Sequence, residues 1–268
     1  MWRVMRASLI FYVGSTLSMA HPQEGQSIDL SQYKLVFDES FSSLDVSAWG
    51  PDTRWIAHTP WAGDFGDAQF ADPKPGFPFI VSNGELRIEA RKGSNGKWQS
   101  GLLASQDSKG QGFALQYGYF EMRAKMPPGP GVWPSFWLDS APPSNSSDPS
   151  IEIDVIEYYG QFPGAYNSTV IVWPHAKNAA NHAQGHTQSV KRGSLYEQFH
   201  TYGVSVDPEW IVMYFDRKET WRVATPPEHK HALMILLNLA LGSGWPIDKT
   251  PNPSFMDVEY VRAYAPRS

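Results

Sequence analysis

Ile151-Glu152-Ile153-Asp154-Val155-Ile156-Glu157 threads three carboxylates through β-branched aliphatics. Ile and Val at this density, following the turn-rich segment Pro142 to Ser150, point to a buried strand rather than a helix. Side chains alternate faces on a strand, so Glu152 and Asp154 share one face while the aliphatics enter a core. Glu157, three residues beyond Asp154, breaks that parity and would fall among the aliphatics. Burying a polar group without a partner costs roughly 2–7 kcal/mol. One extra residue at Val155-Ile156, a β-bulge, removes the conflict and returns Glu157 to the face of its companions.

Three acids on one side of a strand serve stability poorly and chemistry well. Paired carboxyl groups are the equipment of glycoside hydrolysis, and the retaining mechanism holds them about 5–5.5 Å apart. On that reading Glu152 is the nucleophile and Glu157 the acid/base. Asp154 hydrogen-bonds the nucleophile and helps set the two proton affinities. Crowded negative charge raises the pKa of whichever acid can best stay neutral. A merely exposed acidic strand would show the same alternation over its first residues, so the motif alone leaves both readings open.

A chain of 268 residues suits one all-β domain. Its 11 Trp, 12 Tyr and 14 Phe fit a cleft that stacks rings on sugar faces, although such rings also fill sandwich cores. A net charge of −5 gives no electrostatic reason to expect nucleic acid or anionic lipid as partner. With no cysteine there are no disulfides and no thiolate metal sites. Residues 1–20, with a basic start, an apolar run and Ser18-Met19-Ala20, read as a secretory signal peptide, which places the protein outside the cell or in the periplasm. No later run is long enough to cross a bilayer as a helix.

Residues 21–33 read as a flexible lead-in, and 34–268 as the domain, with Trp49 as a core anchor. The irregular segment Arg54 to Phe79, carrying Trp55, His58, Trp61 and Phe65, is either a cleft wall or a surface loop. Asn83-Gly84 marks a hairpin into the alternating strand Glu85 to Arg91, with Leu86, Ile88 and Ala90 inward. Tyr117 to Met126 repeats the pattern, with Phe120, Met122, Ala124 and Met126 inward and Tyr119 and Glu121 among the outward residues. Trp133 and Trp137 share a face as either core or sugar platforms. Ser168 to Trp173 is a strand, and Pro174 to Gly193 a polar loop whose His182 and His186 lack a third zinc ligand. Two sequons, at Asn145 and Asn167, would matter only in a source that glycosylates its exports. Strands follow at Phe199 to Val206, Ile211 to Asp216 and Ala232 to Leu241, the last a run buried on both faces that contains Asn238. Met256, Val258 and Tyr260 alternate in the final strand, Met256 to Tyr264. Many short strands between turn signals indicate a β-sandwich.

The acid strand, VWPSFWL, YGYFEMRAKMPPGPG, FHTYGV, LLNLALG and VEYVRAY together resemble glycoside hydrolase family 16, in order from about Lys34 to Tyr264. The resemblance implies a concanavalin A-like jelly-roll sandwich with a concave substrate cleft and a retaining mechanism. It assigns Glu152 as nucleophile, Asp154 as assisting acid and Glu157 as acid/base. The bulged spacing is similar to the laminarinase, agarase and carrageenase side of the family. Trp133, Trp137, Trp55 and Asn238 become the substrate-binding candidates. Relatives often carry a His where this chain has Ile171. Many laminarinases have an Asp in the last strand that helps hold a structural calcium; Glu259 stands there and is the candidate ligand, while the chemistry requires no cofactor. The expectation is a secreted, monomeric endo-β-glycanase acting on a polysaccharide, β-1,3-glucan first. A non-catalytic polysaccharide-binding jelly roll, a transglycosylase, or an enzyme for bacterial exopolysaccharide or galactan are the alternatives.

Overall fold

The structure, a computed structural model, describes residues 25–61, 63–140, 146–174 and 180–267. The leader assigned to residues 1–20, His175 and the sequon residue Asn145 lie outside them.

Alternating patterns become strands between turn residues. The longer ones are β1 (Tyr33–Glu39), β2 (Phe79–Ser82), β3 (Glu85–Lys92), β4 (Gly118–Lys125), β5 (Val132–Asp139), β6 (Ser150–Glu157) and β7 (Ala165–Trp173). They continue with β8 (His182–Ser189), β9 (His200–Val206), β10 (Trp210–Phe215), β11 (Lys218–Ala224), β12 (Leu233–Leu241) and β13 (Ser254–Pro266). Asn83 and Gly84 both take positive φ, 55° and 74°, as a two-residue hairpin between β2 and β3 requires.

One sheet runs β11-β10-β9-β4-β13-β3 and on through Trp98–Ser100 to Gln69–Phe70, with β1 on β13 and β2 on β3. The other runs β8-β7-β6-β5-β12, then Leu102–Ala104, Trp55–Ile56 and Val46–Ser47. The two sheets form an all-β jelly-roll sandwich. Leu86, Ile88 and Ala90 of β3 and Phe120, Met122 and Ala124 of β4 join Ile151, Ile153, Val155 and Ile156 of β6 in the core between them. Fully burying one such aliphatic stabilises by roughly 1.5–3 kcal/mol, so the register of β6 is strongly held. All nine residues of β12 are buried, because Phe65, Phe70 and Trp137 cover Met234, Leu236 and Ala240 on its outer face.

Several expectations are corrected. Trp49 is 56% exposed and stacks on His58 with ring centroids 4.2 Å apart; it anchors no core. Trp55 does, fully buried, its indole N–H donating to Glu39 across 3.1 Å, so it cannot touch substrate. Tyr119 and Glu121 point away from the main core yet are sealed under Tyr33, Tyr214 and Tyr264, with Arg217 donating twice to the Glu121 carboxylate at 2.7 and 3.0 Å. Ser27 and Ile28, in the expected flexible lead-in, bond to Lys218 and Arg217. The second half of the expected polar loop is the edge strand β8, on which His186 stacks against Trp221. Lys218–Ala224 is a strand where none was expected. In β13 a bulge at Glu259 sends Val261 and Ala263 inward in place of Tyr260. Glu259, the candidate calcium ligand, is paired with Arg123, and among the described residues it joins no group of three His, Asp or Glu side chains.

Candidate active site

The acid strand is set by its neighbours. Ile151 donates its N–H to Ser140 Oγ at 2.7 Å, and His231 holds Asp148 just upstream at 2.9 Å. Across β5, Trp137 stands opposite Asp154 and Phe136 opposite Ile156, so Val155 has no partner. The bulge is therefore where parity demanded it. It leaves the Val155 carbonyl outside the ladder, and Ser168 of β7 donates its hydroxyl to that oxygen at 2.8 Å. Val155 and Ile156 both enter the core, and Glu157 emerges beside Glu152 and Asp154 on the outer face.

Each glutamate has its own donors. Trp173 gives its indole N–H to Glu152 at 2.8 Å. Trp133 Nε1 and the Tyr159 hydroxyl both donate to Oε1 of Glu157, at 3.0 and 3.1 Å, which leaves Oε2 to carry a proton. Burial pushes Glu152 up to about 7; the Trp173 bond opposes it and the charge of Glu157 adds to it. Glu157 is also raised by burial, against its two donors. Asp154 is raised furthest from its ordinary range by burial and by Glu157, Glu152 and Asp139 around it. The shift favours the protonated form of Asp154 beside Glu152, whose own carboxyl is drawn down by Trp173 and Asp154 against the larger effect of burial.

The expected binding residues divide. Trp133 is half-buried, donates to Glu157 and stacks on Tyr159 with rings 6.1 Å apart and 12° from parallel. Trp137 lies on the same face but is only 6% exposed, under Phe65 and Trp61. Asn238 is fully buried and accepts the Trp137 indole N–H at 2.9 Å; it orients that ring and has no surface to offer a sugar. Ile171 stands opposite Glu152 on β7 and is buried. Trp61, 40% exposed, and Phe65 make the 54–79 segment a wall beside the acids, resolving that alternative. His58 pins this wall, its two ring nitrogens 3.3 Å from Asp64 and 2.9 Å from Asp72.

Sequence reasoning missed Trp173, Tyr159 and Asp139. Tyr159 was within reach, two residues past Glu157 and so on its face if the strand continues. Trp173 and Asp139 come to Glu152 only through the registers of β7 and β5, which no local pattern announces.

Residues 76–262 match the family model described as glycosyl hydrolases family 16. The chain is 34% identical over 281 residues to endo-1,3-1,4-beta-glycanase ExsH of Rhizobium meliloti (strain 1021), an alignment spanning 96% of this chain and 57% of that protein. It is 30% identical over 206 residues to the beta-glucanase of Rhodothermus marinus, covering 69% of each. Among solved structures, SCLam, a non-specific endo-beta-1,3(4)-glucanase, superposes with a TM-score of 0.71 at 24% identity, over 91% of this chain and 96% of that one.

Proposed function

The chain belongs to the glycosyl hydrolases of family 16, and from that premise we propose that it is a secreted, retaining endo-β-glycanase acting first on β-1,3-glucan. One observation carries the reading: a bulge at Val155 brings Glu152 and Glu157 out on one recessed face with Asp154 between them. In the first step Glu152 attacks the anomeric carbon while Glu157 protonates the departing oxygen, and a glycosyl ester forms on Glu152. Glu157, now ionised, takes a proton from water; the water oxygen attacks the same carbon, the ester breaks, and Glu152 leaves as a carboxylate. Export is supported by the leader-like first 20 residues.

Reducing-sugar release from laminarin by the wild type, Glu152→Ala and Glu157→Ala tests the assignment, with NMR of the first anomer released to test retention. Both variants should lose at least about 1000-fold in kcat. Equal release by all three would remove the reading, and tight binding without turnover would favour a polysaccharide-binding jelly roll. The similarity to the Rhizobium endo-1,3-1,4-beta-glycanase favours a second reading, a glycan with both 1,3 and 1,4 linkages, to be separated by product analysis on mixed-linkage glucan.

A further inference from the structure

We propose that Asp139 is a further substrate-binding residue, holding the hydroxyl on the sugar carbon adjacent to the one Glu152 attacks. The inference rests on Glu152 being the nucleophile. Asp139 ends β5 directly opposite Glu152, and two residues earlier Trp137 faces Asp154. Directly opposed residues of an antiparallel pair share a face, with Cβ atoms about 4.5–5.5 Å apart. Asp139 therefore looks into the same recess from the neighbouring strand. It is 6% exposed, and no described residue donates a hydrogen bond to its side chain. On its other flank β12 offers Met234, which has nothing to give a carboxyl.

Burial, with the charge of Glu152, raises the Asp139 carboxyl well above the usual carboxylate range, which favours its protonated, donating form. A sugar entering the recess would meet that carboxyl together with Glu152. A sugar hydroxyl both accepts and donates, so one lying between the two acids accepts from Asp139 and donates to the Glu152 carboxylate. The hydroxyl beside the attacked carbon is the one that strengthens such bonds as the transition state forms. Sugars lacking it, or carrying an acylated amine there, would be poor donors.

The experiment compares two aryl β-laminaribiosides, one intact and one lacking that hydroxyl on the cleaved sugar, with wild type, Asp139→Ala and Asp139→Asn. On the intact substrate Asp139→Ala should lose about 30-fold in kcat/KM, and the amide of Asp139→Asn, still a donor, should restore it to within about threefold. On the deoxy substrate wild type and Asp139→Ala should agree within about threefold. Asp139→Leu, closer in volume, replaces the alanine variant should that one fold poorly. Equal losses on both substrates, or no loss on the intact one, would overturn the assignment of Asp139. Full turnover by Glu152→Ala would instead sink the function on which it rests.

Discussion

Trp173 reaches Glu152 from β7 with an N–H that favours the ionised carboxylate. Trp173→Phe removes the donor and keeps most of the ring, so Glu152 will hold its proton to higher pH. Hydrogen bonds to charged groups contribute about 1.5–3 kcal/mol, so the acidic limb of kcat/KM should climb by about one pH unit. A profile of laminarin hydrolysis against pH reads it directly, and an unmoved limb would deny Trp173 that role. Asn238 acts one contact further out. Its side-chain oxygen accepts from Trp137, while its amide nitrogen finds no partner among the described residues. Asn238→Leu relieves the second group but strands the Trp137 N–H, for a net loss of about 1–2 kcal/mol by urea unfolding. KM should rise with it as the ring loosens.

The bulge in β6 makes a sharper claim. Val155 faces no residue on β5, and Ser135, Phe136 and Trp137 already match Glu157, Ile156 and Asp154. Deleting Val155 therefore leaves a regular ladder with the same pairs, and Glu157 keeps Trp133 and Tyr159. The protein should fold, at a cost of about 1–3 kcal/mol for the lost core side chain. Straightening the strand moves the acids slightly, and kcat should drop by up to about 100-fold. Circular dichroism and turnover of the deletion variant check both halves; an unfolded product would show that the pairing depends on the extra residue. That bulge was legible because burying Glu157 is so unfavourable that local parity had to fail. The bulge at Glu259 was not, since Tyr260 is tolerable on either face and its misplacement raises no alarm. Strand β8 escaped for a related reason: an edge strand exposed on both sides has no apolar period to read.

Across the molecule, the carboxyls that would do the chemistry work against the fold. Glu152 titrates at about 7 against an ordinary 4.5, a folded-state value raised above the unfolded one. Its contribution to stability is thus fully present below pH 4.5 and lost as pH rises through 7. Glu152→Gln should be more stable than the wild type at pH 8, by up to about 3 kcal/mol and so with a higher unfolding temperature, and lose that advantage near pH 4.5. Thermal scans at the two pH values decide it. Sandwich architecture could be read from strands and turns, because core alternation is periodic and turn residues are local. Which ring lies between the sheets could not: Trp49 and Trp55 differ in long-range placement alone. That same placement ties an indole to each of the two glutamates, Trp173 to Glu152 and Trp133 to Glu157. Indole emission responds to a proton arriving on, or leaving, the group its N–H touches. Comparing wild-type fluorescence with that of Trp173→Phe and Trp133→Phe across a titration would let the protein report, without any label, the charge state of each acid as sugar enters.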